Sequence, residues 1–123
     1  MEIRDFLVYI AGPYRAPTEW QLVQHIRAAE ALAIEVWKLG AVAICPHLNT
    51  MFMDGIDIDR DTFINGDLEI LRRCDAIFML SGWDKSEGAR KEWELAKELD
   101  MPVIYQDDNM TEKVIALMNL KWR

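Results

Sequence analysis

Apolar and polar positions along this chain fall into two alternating patterns. Residues 6–12 (FLVYIAG) form a short unbroken apolar run ended by Gly-Pro, as a strand buried on both faces would be. Residues 41–45 (AVAIC), 75–81 (DAIFMLS) and 102–106 (PVIYQ) have the same character. Between and after these runs lie stretches of helical composition. Residues 18–39 follow Pro17 and stop at Gly40; residues 59–74 and 86–100 follow; a last helix is predicted from an N-cap at Thr111 to Trp122. Strands alternating with helices predict an α/β fold, a doubly wound parallel sheet with helices on both faces and right-handed crossovers. Ligands in such folds bind beyond the carboxyl ends of the strands, near the point where strand order reverses. That directs attention to the loops at residues 12–17, 46–58 and 82–88.

Two carboxylates break the pattern. With residues about 100° apart on a helical wheel, Ala89, Trp93, Leu95, Ala96 and Leu99 gather into one arc, and Glu92 lies in its middle. The solvent side is already supplied by Arg90, Lys91, Glu94, Lys97 and Glu98. The preceding helix repeats the anomaly: Phe63, Ile64, Leu68, Ile70, Leu71 and Cys74 define an apolar face that contains Asp67. Burying an unpaired carboxylate costs several kcal/mol, so two on inward faces ask for a reason, and catalysis is the leading one. The first helix carries two apolar stripes. Leu22, Ile26, Ala29, Ala33, Val36 and Trp37 make a core face, while Trp20, Val23, Ala31 and Ile34 make a second that predicts a homodimer or higher homo-oligomer.

Composition narrows the classes. A chain of 123 residues with 51% hydrophobic content is expected to form one domain over 1–123 with a real core. Its net charge of −7 argues against a nucleic-acid polymer or an anionic membrane as partner. Cys45 and Cys74, with no C-x-x-C, indicate neither a disulfide scaffold nor a zinc site, and reduced thiols in a cytoplasm fit best. No signal pattern and no apolar run near the length of a membrane span occurs.

A helical side chain leans toward the N-terminus of its helix, and one turn before Glu92 stand Gly88 and Ala89, which leaves a hollow in front of the carboxylate. The dipole of the early helical turns favours its ionised form, as a nucleophile requires. The plainer alternative rotates the helix so that Glu92 reaches solvent or an arginine. Asp67 could equally pair with Arg72 or Arg73; its weight comes from combination with Glu92, since two carboxyl groups in different environments can divide the work of nucleophile and acid/base. Tyr9 is the one polar-tipped side chain of the first strand, and it either fills the core or hydrogen-bonds a catalytic carboxylate. In the turn GPYR, Gly12 allows close approach of a ligand and Arg15 offers a bidentate donor suited to phosphate. Met51, Phe52 and Met53 read as a lid over a planar base or as packing against the core. The run Asp57, Asp59, Asp61 fails as a calcium loop, having Thr62 and Leu68 where glycine and glutamate are needed. His25 and His47 lack ligand spacing and read as structural. No metal or cofactor is called for.

YIAGPYR near the start, the Asp67 helix leading into CDAIFML, and SEGARKE leading into ELAKELDMPVIY resemble the nucleoside 2-deoxyribosyltransferase superfamily, including its nucleoside 5′-monophosphate N-glycosidase branch. The resemblance covers most of the chain. It implies a flavodoxin-like sheet of four to five strands, a glutamate nucleophile at Glu92, an acid/base aspartate at Asp67 and a steadying tyrosine at Tyr9. Ser86, six residues before the glutamate, and the G-x-x-R turn at Gly12 and Arg15 resemble the nucleotide-hydrolysing branch, which implies a phosphate held by Ser86, Gly88, Ala89 and Arg15. The function so implied is cleavage or transfer at the N-glycosidic bond of a (deoxy)nucleoside 5′-monophosphate through a glycosyl-glutamate intermediate. Two alternatives stay open: a non-catalytic nucleotide-binding or sensor protein of the same fold, and an NAD glycohydrolase.

Overall fold

The computed structural model describes residues 5–53, 55–107 and 109–121. Strands β1 (Leu7–Ala11), β2 (Val42–Ile44), β3 (Ala76–Met79) and β4 (Val103–Tyr105) form one all-parallel sheet in the order β2-β1-β3-β4. The chain crosses from β1 through helix α1 (Glu19–Lys38) to β2. It returns past β1 through the short α2 (Pro46–Asn49) and α3 (Arg60–Arg72) to β3. A 3-10 turn (Trp83–Lys85) and α4 (Glu87–Glu98) lead to β4, and α5 (Met110–Lys121) follows. Strand order therefore reverses between β1 and β3, and their carboxyl ends open the crevice where such folds take ligands.

The apolar strand runs are continuous because both faces are covered. Val8, Ile10, Ala76, Phe78 and Ile104 pack beneath α1 and α5, while Tyr9, Ala11, Ile77 and Met79 pack beneath α3 and α4. Tyr9 thus reaches the layer that holds Glu92 and Asp67 as a consequence of strand alternation. Each strand sits inside its predicted run, trimmed by one or two residues at the ends. Beyond the end of β3, Gly82 adopts φ 87°, a left-handed conformation that glycine takes without steric cost.

Several expectations need correction. Trp37 is 43% exposed; Leu32, at the proper spacing from Ala29 and Val36, fills the core in its place. Leu99 is also 43% exposed, because it forms the C-cap of α4 where the helical arc has ended. Thr111 is not the N-cap of the last helix, which already begins at Met110 behind Asp107, whose carboxylate accepts from the Asn109 amide. The predicted end of that helix at Trp122 lies outside the described residues. The second stripe of α1 is exposed as expected, with Trp20 at 73%.

Candidate functional site

Beyond the carboxyl ends of β1 and β3 lies a cavity of about 810 Å³, and both anomalous carboxylates line it. Glu92 is half-buried at the cavity wall, and the phenol of fully buried Tyr9 donates a hydrogen bond to its Oε2. The rotated-helix alternative is thereby excluded. Asp67 faces the same space because its candidate partners are engaged elsewhere: Arg72 and Arg73 both pair with Glu69, on the outer side of α3. The structure brings Tyr9, Glu92 and Asp67 together closely enough that each carboxylate's charge acts on the phenol and the charge of Asp67 acts on Glu92.

The electrostatics invert one expectation. Burial pushes Glu92 up to about 8; the Tyr9 hydrogen bond opposes this and the negative charge of Asp67 adds to it. Burial alone pushes Asp67 up to about 6. Desolvation outweighs the helix dipole that was expected to keep Glu92 ionised. Both shifts favour retention of a proton by the pair, and the larger one is on Glu92. Burial, followed by the two carboxylate charges, raises the Tyr9 phenol far above its ordinary value, so it remains a donor throughout.

Small residues leave the hollow anticipated in front of Glu92. A Cβ added at Gly88 would meet nothing within 4 Å, and Ala89 is buried beside it. Ser86 is the N-cap of α4, its Oγ accepting from the Ala89 amide at 3.2 Å, so the Glu87 and Gly88 amides remain at the cavity edge. Gly12 lines the cavity, but its requirement comes from the protein itself: a Cβ there would lie 2.7 Å from Cβ and 2.6 Å from Cδ1 of Leu80. Arg15 is exposed at the rim. Met53 lines the cavity, whereas Phe52 points into solvent.

Other groups at the site were given no part in the chemistry by the sequence. His47, 6% exposed, places Nε2 2.8 Å from the Pro13 carbonyl and packs edge-on against Tyr14. His25 places Nδ1 2.9 Å from the Tyr14 carbonyl. Both histidines line the cavity, and through these contacts they hold two successive carbonyls of the turn that carries Arg15. Trp83 stacks on Trp93 at 5.2 Å, and Trp93 Nε1 donates to the Tyr105 hydroxyl at 3.0 Å, which anchors the 3-10 turn before Ser86. Arg60 and Lys85 also line the cavity; on a wheel they look like any surface cation. Among the described residues no group of acidic, histidine or cysteine side chains could hold a metal, and Asp59 of the acidic run instead caps α3.

Residues 6–105 match the family described as Domain of unknown function (DUF4406). The chain belongs to this family. A comparison with curated protein sequences finds no match. Among solved structures this DUF4406 member is similar to a 2-desoxiribosyltransferase from Leishmania mexicana, at 18% identity and a TM-score of 0.58, over 81% of this chain and 63% of that one. It is also similar to a 2-deoxyribosyltransferase from the psychrotolerant bacterium Bacillus psychrosaccharolyticus, at 21% identity and a TM-score of 0.59, over 80% of this chain and 70% of that one. The chain thus spans less than two thirds of the length of the Leishmania enzyme. These likenesses establish the flavodoxin-like α/β fold that the resemblance implied. No helix among the described residues is long and apolar enough to cross a membrane.

Proposed function

We propose that this DUF4406 protein cleaves the N-glycosidic bond of a (deoxy)nucleoside 5′-monophosphate, or transfers its sugar, through a covalent intermediate on Glu92. The observation that carries this reading is the Tyr9–Glu92–Asp67 group: two carboxyl groups sharing a cavity, both with raised proton affinity, with a hydrogen-bond donor fixed on one of them. A buried pair of this kind costs stability and makes sense as chemistry.

The reactive arrangement carries the proton on Asp67 and leaves Glu92 ionised, with the Tyr9 phenol supporting the charge. Glu92 attacks C1′ as the C1′–N bond breaks; the departing base keeps the electron pair and takes the proton from Asp67. Asp67, now a base, removes a proton from water or from an acceptor base, whose oxygen or nitrogen displaces Glu92 from C1′. The Glu87 and Gly88 amides, the Ser86 hydroxyl and Arg15 hold the 5′-phosphate, since helix N-termini favour anions. Gly88 lies four positions before Glu92, about 6 Å along the helix axis, which suits a sugar lying between them. No metal or cofactor takes part in this scheme.

The protein is proposed to act on small molecules in the cytoplasm, where its two free thiols stay reduced, and to self-associate through the exposed Trp20, Val23 and Ile34 of α1. Sedimentation equilibrium checks the latter; a monomer at high micromolar concentration would refute it.

The direct test is incubation with a panel of ribo- and deoxyribonucleoside 5′-monophosphates, with and without an acceptor base, read by chromatography. Release of free base, or base exchange, supports the proposal. Nucleotide binding without either product would refute it in favour of a non-catalytic nucleotide-binding protein.

A further inference from the structure

Fourteen lysines and arginines occur in the sequence, and Arg4 and Arg123 lie outside the described residues. Of the remaining twelve, seven form ion pairs with acidic side chains. Arg90 donates to the Asp84 carbonyl, and Lys97 lies over the Trp93 ring. The three left without a partner are Arg15, Arg60 and Lys85, and all three line the cavity. Arg60 pairs with neither of its acidic sequence neighbours, and the carboxylate of Asp59 is occupied by the Asp61 amide. In a chain of net charge −7, the unneutralised positive charge among the described residues is thus concentrated at one opening.

The topology orders these groups by depth. Helices α3 and α4 both follow strands of a parallel sheet and run back against them, so their N-termini share the sheet's carboxyl end. Arg60 opens α3 seven residues before Asp67, about 10 Å nearer the mouth along the axis. Lys85 precedes the first turn of α4, again beyond Gly88 as measured from Glu92. By this order the carboxyl groups lie deepest, the Gly88 amide next, and the exposed Arg60 and Lys85, one preceding each helix's inner turns, nearest the rim. A single phosphate at the Gly88 level brings at most about two negative charges and has the early α4 amides and Arg15 to meet it. Two further cations one phosphate farther out are surplus to it.

We propose that Arg60 and Lys85 bind a second phosphoryl group, so that the ligand is a nucleoside with a 5′-diphosphate and the 5′-monophosphate is its minimal form. This rests on the function proposed above for the same cavity. The 5′-diphosphate can be terminal, as in a nucleoside diphosphate, or bridged, as in NAD.

The test is calorimetric titration of the full chain carrying Glu92→Gln, which prevents turnover. The probes are adenosine, cytidine and 2′-deoxyadenosine as 5′-mono- and 5′-diphosphates, NAD, and, as base-independent probes, inorganic phosphate and pyrophosphate. The diphosphates are expected to bind at least about tenfold more tightly than the matching monophosphates, with pyrophosphate above phosphate in the same sense. Arg60→Gln with Lys85→Gln should collapse that ratio toward one. Both side chains are exposed, so the fold should be unaffected, and Arg60→Lys should retain most of the preference. Preference for NAD over the nucleoside diphosphates identifies the bridged form, and the reverse identifies the terminal form. Equal affinity for mono- and diphosphates, or an equal loss for both in the double variant, overturns the inference. If the wild type releases base from monophosphates while diphosphates gain nothing, this inference falls alone; if no nucleotide binds, the proposed function falls with it.

Discussion

Tyr9 on β1 and Glu92 on α4, 83 positions apart in sequence, are joined by a hydrogen bond in which the phenol donates to Oε2. The bond ties the proposed nucleophile to the inner strand β1 and opposes the burial that raises the carboxyl. It also accounts for a tyrosine within an otherwise apolar strand.

Activity should follow a bell with limbs near the two carboxyl values, about 6 for Asp67 and about 8 for Glu92, because the reactive form carries one proton on the pair. In Tyr9→Phe the influence that lowers Glu92 is gone. The basic limb should move upward while the maximal rate drops by roughly 10- to 100-fold. A pH–rate profile of both proteins checks this; an unmoved basic limb would separate Tyr9 from the chemistry.

Glu92 should make the protein less stable as pH rises. Below about 4.5, its ordinary value, both folded and unfolded chains hold the proton and burial of the neutral acid costs little. Between there and about 8 the unfolded chain releases the proton while the folded chain keeps it, so stability falls across that window and levels off above it. Glu92→Gln keeps an acceptor for Tyr9 and removes the titration. Its advantage over wild type in thermal melts should be small at pH 4 and grow toward pH 8, by on the order of 3 kcal/mol.

Two glycines at the cavity should respond oppositely to alanine. At Gly88 the methyl enters open space, so stability should hold or rise by up to ~1 kcal/mol from helix propensity, while nucleotide binding weakens because the methyl takes ligand volume. At Gly12 the methyl meets Leu80 at 2.7 Å or closer, and a loss of about 1–3 kcal/mol is expected. Melting temperatures and nucleotide titrations on the two variants distinguish a ligand-facing glycine from a packing one.

Asp67→Asn should slow turnover most for the poorest leaving bases, since the proton it supplies matters least where the base departs readily. Rates across several bases check this, and a uniform effect would remove its role as the acid.

Much of this architecture was legible in the chain because its signals are local. Parallel strands buried on both faces read as unbroken apolar runs, and each of the four lies within its run. Glu92 and Asp67 stood out because a carboxylate in an apolar arc is anomalous before any coordinates are known. What escaped is non-local or lies at the edge of a pattern. Trp37 and Leu99 belong to their arcs by angle, yet one sits at the margin of the core stripe and the other beyond the helix end. The need for Gly12 comes from Leu80, and the histidines act on backbone carbonyls that no spacing rule reveals. Arg60 and Lys85 acquire meaning only when every other described cation except Arg15 is found to be occupied. The location of the proton depends on burial by the assembled layers, which a helical wheel does not measure.

The most direct measurement is mass analysis of the acid-quenched protein during reaction with a substrate found in the nucleotide panel. The account predicts a transient added mass equal to one (deoxy)ribosyl phosphate, located by peptide mapping to Glu92 and absent from Glu92→Gln, which should also release no base. Base release at the wild-type rate from Glu92→Gln, or an adduct on any other residue, would contradict it.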